Sequence, residues 1–455
     1  MKSMTRFKSI LLIFLAIESC LFPGIGRAAA SQSSPASGDT VEFAVLADLH
    51  FDPFRCSNKA YTNLVNDPMD FDKTIAAFDL GTAKSPANYD KQGWDSSYLL
   101  IKCALQSLAN QRPKPAFVLC AGDFFAHQAD IANALDNDMS EFNARRERYV
   151  EGSEALVAHM FRRVGLTNVY PVLGNNDSTD DYFEPQPAFL KAFAKAWDFS
   201  PACRDFDRDF TKLGFYKSEL PGLSSCQLVV FNSTLFSRRQ EHVRDDPNLN
   251  GWTNAHETID RLSDVFRSSR GGIILAYHIP PGTDYYASTH PRQPPVSFWN
   301  QQFTDHFVSM LASNRSKIMG SFSAHTHNDE FRLIYSGKSP VGYIHLGPSI
   351  SPIHGNHPAY QIFAAKKMGE IVDYKTIYLR DFQNPTNGWI EEYSFSAEFS
   401  TNGYNADVLD SLFTNGENLN RAKFTRFYEA GVPAFSFADS NLYWSSTAVE
   451  AANGR

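Results

Sequence analysis

The sequence predicts an α/β fold, a β-sandwich flanked by helices with a mostly helical C-terminal extension. Three observations carry this expectation. Short apolar runs rich in β-forming residues recur along the chain, and amphipathic stretches at helical spacing lie between them. Beyond Asp381 this pattern gives way to a tail rich in Phe, Tyr, Asn and Ser with weak periodicity.

Lys2, Arg6 and Lys8 precede the apolar run Ile10 to Ile17, and a small-residue stretch ends in Ala28-Ala29-Ala30. This is the layout of a secretory signal over residues 1–30, with the mature chain starting at Ser31. The run is shorter than the roughly 20 residues that span a bilayer and Glu18 interrupts it, so the expectation is an exported protein, periplasmic or extracellular, with no stable membrane anchor. Residues 31–40 read as a flexible leader of Ser, Ala, Gln, Pro and Gly. A large catalytic domain is expected over 41–381 and the extension over 382–455.

The candidate strands are Phe43 to Leu46, Phe117 to Ala121, Val169 to Leu173, Leu228 to Phe231, Ile273 to Tyr277, Ile318 to Phe322 and Tyr343 to Leu346. Runs apolar on both faces suit strands buried between layers. Asp95 is placed to cap a helix whose Leu99, Cys103 and Leu108 share one face. Glu257 to Arg267 and Phe303 to Leu311 repeat that spacing, and the tail offers helices near Asp407 to Leu412 and Leu419 to Tyr428.

The chain has 455 residues, a formal net charge of -8 and a pI near 5.9. Nothing in that balance attracts duplex nucleic acid or an anionic membrane, so an anionic partner needs local positive charge. The oligomeric state is not legible. Removal of the signal leaves five cysteines, an odd number; Cys203 and Cys226 flank a short polar excursion that a disulfide would staple, whereas Cys103 and Cys120 fall in apolar patterns as buried thiols.

Seven residues in five motifs stand just after successive strands. They are Asp48 and His50 in LADLH, Asp123 in AGDFFAH, Asn175 in LGNND, His278 in AYHIPPG, and His325 with His327 in SAHTHNDEF. Loops at the carboxyl ends of strands in one layered fold converge on one edge. Carboxylate, amide and imidazole donors without a thiolate suit two hard-to-borderline divalent ions that activate water against a phosphate ester.

These motifs, together with HIPPG and GPSISPIHGNHPAY, resemble the acid sphingomyelinase-like branch of the calcineurin-like metallophosphoesterases, over roughly Phe43 to Phe363. The resemblance implies a metallophosphoesterase-type sandwich and a hydrolase of phosphoric ester bonds, most simply a phosphodiesterase in which a metal-bridging hydroxide attacks phosphorus. It places Asp48, His50 and His327 on one metal and Asn175, His278 and His325 on a second, with Asp123 bridging. It tilts the metals towards Zn, while the donor set itself also admits Mn or Fe. It makes His127 the acid that protonates the leaving group, against the plainer role of orienting Asp123.

Two departures bear on the substrate. Asn176 stands where many of these enzymes have a histidine after Gly-Asn, and it can only donate a hydrogen bond to phosphate; the same GNND string resembles endopolyphosphatases. Ala324 stands where glycine commonly precedes His-Thr-His, which costs little only if its φ is negative. Tyr285, Tyr286, Phe298 and Trp299 follow the His278 motif and could rim a lipid or nucleobase; His354 and His357 flank a turn in a block near the site, with His357 taken as a substrate contact. His159, His306 and His345 are expected at the surface or in the core. Sphingomyelinases resembling this chain carry a lipid-presenting domain ahead of the site, and fewer than twenty residues separate Ser31 from Asp48. The expectation is therefore a soluble phosphate ester or nucleotide, with polyphosphate or a phosphomonoester as the alternative and a catalytically silent metal-binding scaffold as the reading from another class.

Overall fold

The computed structural model describes residues 40–450 apart from 57, 67–69, 85–90, 180–183, 203–205, 207, 244–251, 289–294, 416 and 432–447. Two sheets are stacked over a shared core. The first is built by β1 (Thr40–Leu46), β2 (Val118–Cys120) and β3 (Val169–Pro171), which run parallel, in register Leu46 to Cys120 to Pro171. The second is built by β4 (Tyr216–Glu219), β5 (Cys226–Val230) and β6 (Gly272–Ala276), followed, after a small ribbon of β7 (Thr283–Asp284) and β8 (Val296–Ser297), by β9 (Ile318–Ser323), β10 (Glu330–Ser336) and β11 (Ser339–Leu346). The chain then returns to the first sheet with β12 (Ala359–Lys366), β13 (Ile371–Leu379) and β14 (Trp389–Ser394), and β15 (Ala448–Glu450) joins the second. The orders are β14-β13-β12-β1-β2-β3 and β15-β10-β11-β9-β6-β5-β4.

All seven predicted apolar runs form strands, because each is buried on both faces: β2, β3 and β6 have no exposed residue. Phe43, Phe322 and Phe363 meet between the sheets with ring centroids 5.1 to 5.6 Å apart. A second apolar cluster covers the other face of the β5-β6-β9 sheet with helices Thr253–Ser268 and Gln301–Ser313.

Eight strands and one cap lie beyond the expectation: the short β4, β7, β8 and β15, and the longer β10, β12, β13 and β14. β10, β12, β13 and β14 carry polar residues that end up buried, so no apolar run announces them. Asp329, just before β10, accepts hydrogen bonds from Thr376 Oγ1 and Tyr393 Oη at 2.8 Å each, and this ties β13 and β14 to the base of β10. The segment after Asp381 therefore contributes a strand to each sheet as well as the helices Ala406–Asn415 and Glu417–Tyr428. The helix expected after Asp95 spans Tyr98–Ala109 and is capped by Ser97, whose Oγ accepts from the Leu100 amide at 3.2 Å; Asp95 is engaged elsewhere. Cys226 is a buried, unbridged thiol, as are Cys103 and Cys120, and Cys203 lies outside the described residues, as do the signal and leader. Among the described residues no helix is long and apolar enough to cross a membrane.

Candidate metal centre

The ligand loops open at the ends of β1, β2, β3, β6 and β9, and their own backbones lace them together. Asp48 donates its amide to the Gly122 carbonyl (3.0 Å), His50 to Asp123 (2.9 Å), Ala324 to His278 (2.9 Å) and Ser349 to His327 (3.2 Å). Three alanines, Ala47, Ala121 and Ala324, pack together fully buried just ahead of the ligand positions, and their small side chains let the strand ends approach. Ala324 is not in the left-handed region, so its replacement of glycine carries no backbone strain. Gly174 is required: a Cβ there would strike the amide and carboxylate of Asp123.

Five of the seven candidate ligands have left-handed backbones, with φ of 48° at Asp48, 42° at His50, 57° at Asp123, 77° at His325 and 65° at His327. A non-glycine residue held there costs on the order of 1–3 kcal/mol and persists only where its surroundings enforce it. Asp and His tolerate the region better than most residues. The turns aim all five side chains inward at one centre.

There the acceptors gather. His50 uses Nδ1–H on the Phe125 carbonyl (3.0 Å) and His278 uses Nδ1 on the Ala121 carbonyl (2.7 Å), so the Nε2 edges face the centre. His50 Nε2 lies 3.1 Å from His327 Nε2, and His278 Nε2 lies 3.1 Å from Asn175 Oδ1. Asp123 Oδ2 sits between the groups, 3.4 Å from His50 Nε2 and 3.2 Å from His278 Nε2. Asp48 Oδ1 is buried without a hydrogen-bond donor, 3.8 Å from His327 Nε2. Potential ligand atoms of Asp48, His50 and Asp123 fall within 4.8 Å of one another, as do those of Asp123, His278 and His325. Lone pairs in contact and an orphaned carboxylate oxygen need a cation between them, and Asp123 is common to both sides. The residues fit two divalent ions. Burial, reinforced by the neighbouring His127, lowers the His50 pKa to about 4, and burial with the nearby Asp123 pushes Asp48 upward; burial would also lower His278, but the Asp123 and Asp48 carboxylates outweigh it and hold His278 near 9. Metal binding would displace that proton.

His127 flanks this centre. Its ring stacks on His50 with centroids 4.0 Å apart, and its Nδ1 lies 3.1 and 3.2 Å from the two oxygens of Asp95. Asp95 also accepts the His127 amide (2.7 Å) and Ser351 Oγ (2.8 Å), while its own amide is held by Asp130 (2.6 Å). The sequence suggested Asp95 as a helix cap; the structure makes it the anchor of His127. Asn176 does not point outward as a phosphate donor. Its amide and Nδ2 donate to Asp123 Oδ1 and Oδ2, both at 2.8 Å, so it braces that carboxylate.

One further contributor was missed, and a second had been named only as flanking a turn near the site. Asp177 is fully buried and accepts the amides of Asp123 (2.9 Å), Phe124 (2.7 Å), Gly174 (2.7 Å) and Phe125 (3.4 Å), binding the β2 and β3 loops into one unit. Its place at the end of LGNND was the available signal. His354 packs against His327 at 4.5 Å and His127 at 6.3 Å. The chosen neighbour His357 instead turns away, with Nδ1 on the Leu379 carbonyl (2.7 Å) and its ring against Phe382.

The aromatic rim also needs correcting. Trp299 is fully buried, its Nε1 donating to the Ile279 carbonyl (2.9 Å) and its ring packed against Phe236 and Phe307, so it is core. Phe298, one residue earlier, is the ring at the site, 5.2 Å from His325. Tyr285 is half-buried against the main core, and the Tyr286 side chain lies outside the described residues. His345 is a core residue, bonded to Tyr404 Oη and Gln361.

A layered α/β sandwich whose strand-end loops gather carboxylates, an amide and imidazoles around a shared aspartate defines the class of metal-dependent phosphoesterases. Residues 41–329 match the calcineurin-like phosphoesterase family, and the chain belongs to it. It is a hydrolase of phosphoric ester bonds, and its fold implies divalent metal ions. Mouse acid sphingomyelinase-like phosphodiesterase 3b is 25% identical over 346 residues, covering 70% of this chain and 69% of that protein. The human protein of the same name is 24% identical over 412 residues, covering 84% and 81%. Sphingomyelinase phosphodiesterase D of Dictyostelium discoideum is 22% identical over 340 residues, covering 71% of each.

Proposed function

We propose that this chain is an exported phosphodiesterase that hydrolyses a soluble phosphate ester or nucleotide, with Asp48, His50 and His327 on one metal ion, Asn175, His278 and His325 on the other, and Asp123 shared. Zinc is the ion favoured by the resemblance. The observation that supports this reading best is His127: a histidine stacked on a candidate ligand, oriented through Nδ1 by a buried carboxylate, with a ring nitrogen within 4.8 Å of potential ligand atoms of His50 and His327. When bound, the two ions supply activated water and neutralise phosphate charge. The chain's own residues do the rest. Asp95 holds Nδ1 of His127, offsets the positive charge of its imidazolium and leaves Nε2 to pass a proton to the departing alkoxide. Asn176 and Asp177 fix Asp123, and the His50 and His278 rings are kept in one tautomer by their backbone carbonyls.

The test is a substrate panel on the metal-loaded mature protein: bis-p-nitrophenyl phosphate, CDP-choline, ATP, polyphosphate, sphingomyelin and a simple monoester. Preferential turnover of soluble diesters or nucleotides is expected. Efficient sphingomyelin hydrolysis without an added activator would overturn the preference for soluble substrates, and inertness to bis-p-nitrophenyl phosphate would overturn the activity.

A further inference from the structure

Resting on that reading, we propose that a cavity beyond Asn176 is a subsite for an oligophosphate chain extending from the scissile phosphate. The cavity, about 720 Å³, is lined by Arg145, Arg146 and Arg148 with Thr179 and Gln186, and Glu147 is its only acidic lining residue among those described. Its volume lies within the range of small-ligand sites. A chain of net charge -8 has here gathered three arginines among the lining residues, and Arg145 Nη1 also donates to Asn66 Oδ1 at 3.4 Å.

The backbone explains how. In a regular helix residues 145 and 148, three apart, share a face, whereas residue 146 is splayed from both by about 100° or more. Helix Ser140–Arg163 is broken at Arg145, where φ is -137° and ψ is 21°. The break falls within this stretch, and every residue from 143 to 148 lines the cavity, so Arg146 reaches it along with Arg145 and Arg148. Arg145 and Arg148 are exposed; Arg146 is half-buried and lies 5.9 Å over the Phe142 ring.

The cavity adjoins the metal centre. Arg146 and Thr179 also line a slot of about 10 Å³ whose other walls include Gln128 and Asn176. Gln128 follows His127, and Asn176 braces Asp123. The slot thus lies between the β2 loop, which carries Asp123 and His127, and the β3 loop, which carries Asn175 and Asn176, and Arg146 is shared between the slot and the cavity. It has room for about one water, so a bound chain would pass over it while the arginines met its outer phosphates. Guanidinium forks pair with phosphate oxygens bidentately, and three of them disfavour a cationic choline group. The ligand class is a run of phosphates, either free or as the tail of a nucleotide.

The experiment compares the metal-loaded full chain with Arg145→Glu/Arg148→Glu and with the milder Arg148→Gln. Hydrolysis of bis-p-nitrophenyl phosphate is inhibited by tripolyphosphate, ATP or phosphocholine at fixed free metal, so chelation is the same for every protein. Relative to phosphocholine, the inhibition constant of tripolyphosphate, ATP or both should rise about tenfold or more in the double variant and by a smaller factor in the single one. A shift for tripolyphosphate marks a free chain, and a shift for ATP alone marks a nucleotide tail. Ratios unchanged within about twofold for both, or phosphocholine weakened as much, would overturn the subsite. Failure of the unaltered protein to hydrolyse bis-p-nitrophenyl phosphate would instead count against the phosphodiesterase reading itself.

Discussion

Replacing Asp177 with Asn tests whether the centre is held from behind. The carboxylate has two oxygens and four amide donors: Oδ1 takes Phe124 and Phe125, and Oδ2 takes Asp123 and Gly174. An asparagine keeps one oxygen and turns an N–H₂ towards the other pair, leaving two buried amides without acceptors. At about 1–3 kcal/mol for each, the loss is about 2–6 kcal/mol of folding stability. Because the orphaned amides belong to the loops carrying Asp123 and Asn175, metal affinity should fall about 10- to 100-fold as well. Urea unfolding gives the first quantity and competition with a calibrated chelator the second. Glu154 provides the contrast. Burial pushes its pKa well above the ordinary carboxylate value, and the charge and hydrogen bond of the adjacent Asp177 raise it further, which favours its neutral form beside Asp177. Glu154→Gln keeps a donor and should change stability by under about 1 kcal/mol. If Asp177→Asn cost less than about 1 kcal/mol and left metal affinity within about twofold, the bracing argument would be refuted.

Three other outcomes follow from the geometry. His127→Gln should keep both metals yet lose about 10² to 10⁴ in kcat on a diester with an alkoxide leaving group, with a much smaller loss when p-nitrophenolate departs; equal losses on the two would remove the acid role. Asp95→Asn should show the same leaving-group dependence in milder form, read from the same pair of substrates, because the ring loses its anchor but keeps its place on His50. Glu392, held by the Gly431 amide at 2.9 Å, has its pKa raised by burial to about 8 from about 4.5. Between those values the unfolded chain releases a proton that the folded chain retains, so this group makes the protein less stable as pH rises through that window. Glu392→Gln should therefore gain in urea midpoint over the parent from pH 5 to pH 8, and a difference independent of pH would contradict the assignment.

The gathering of the candidate ligands was legible because they stand on loops at strand ends, where position along the chain predicts position in space. β1, β2, β3, β6 and β9 are short and apolar on both faces, so the strands and their outgoing loops could be found together. β10 could not be found that way: Arg332 in its middle is 2% exposed, its charge met by the Pro281 carbonyl and Glu330. Burial of such a residue is decided by partners distant in sequence. β13 and β14 were hidden for the same reason, with Thr376 and Tyr393 closing on Asp329. At the site, residue type was readable and direction was not. Phe298 and Trp299 are both aromatic neighbours of β8, and side chains alternate across an extended segment, so one faces His325 and the other the core. His354 and His357 lie three apart around the Gly355 turn, and only the turn decides which of them looks at His327. Asp95 was a chemically sound helix cap that a tertiary partner claimed.

The five left-handed ligand positions also bear on stability without metal. Each costs on the order of 1–3 kcal/mol, and the facing lone pairs of His50, His327, His278 and Asn175 add repulsion that only a cation or a proton relieves. The folded chain therefore holds the site open against its own preferences, and metal should couple strongly to folding. With each ion at about 1,000 times its dissociation constant, binding adds about 4 kcal/mol per site, or about 8 for two. The compact unit Asp39–Arg455 has about 400 residues, and an unfolding entropy of about 2 cal/mol/K per residue converts that gain into a rise in Tm of about 10 °C. Scanning calorimetry of chelator-stripped and reloaded protein measures it, and two stepwise increments would report two sites. A reloaded protein melting within about 2 °C of the stripped one would mean that the loops are held in these conformations by packing alone, and the link from backbone strain to metal affinity would fail.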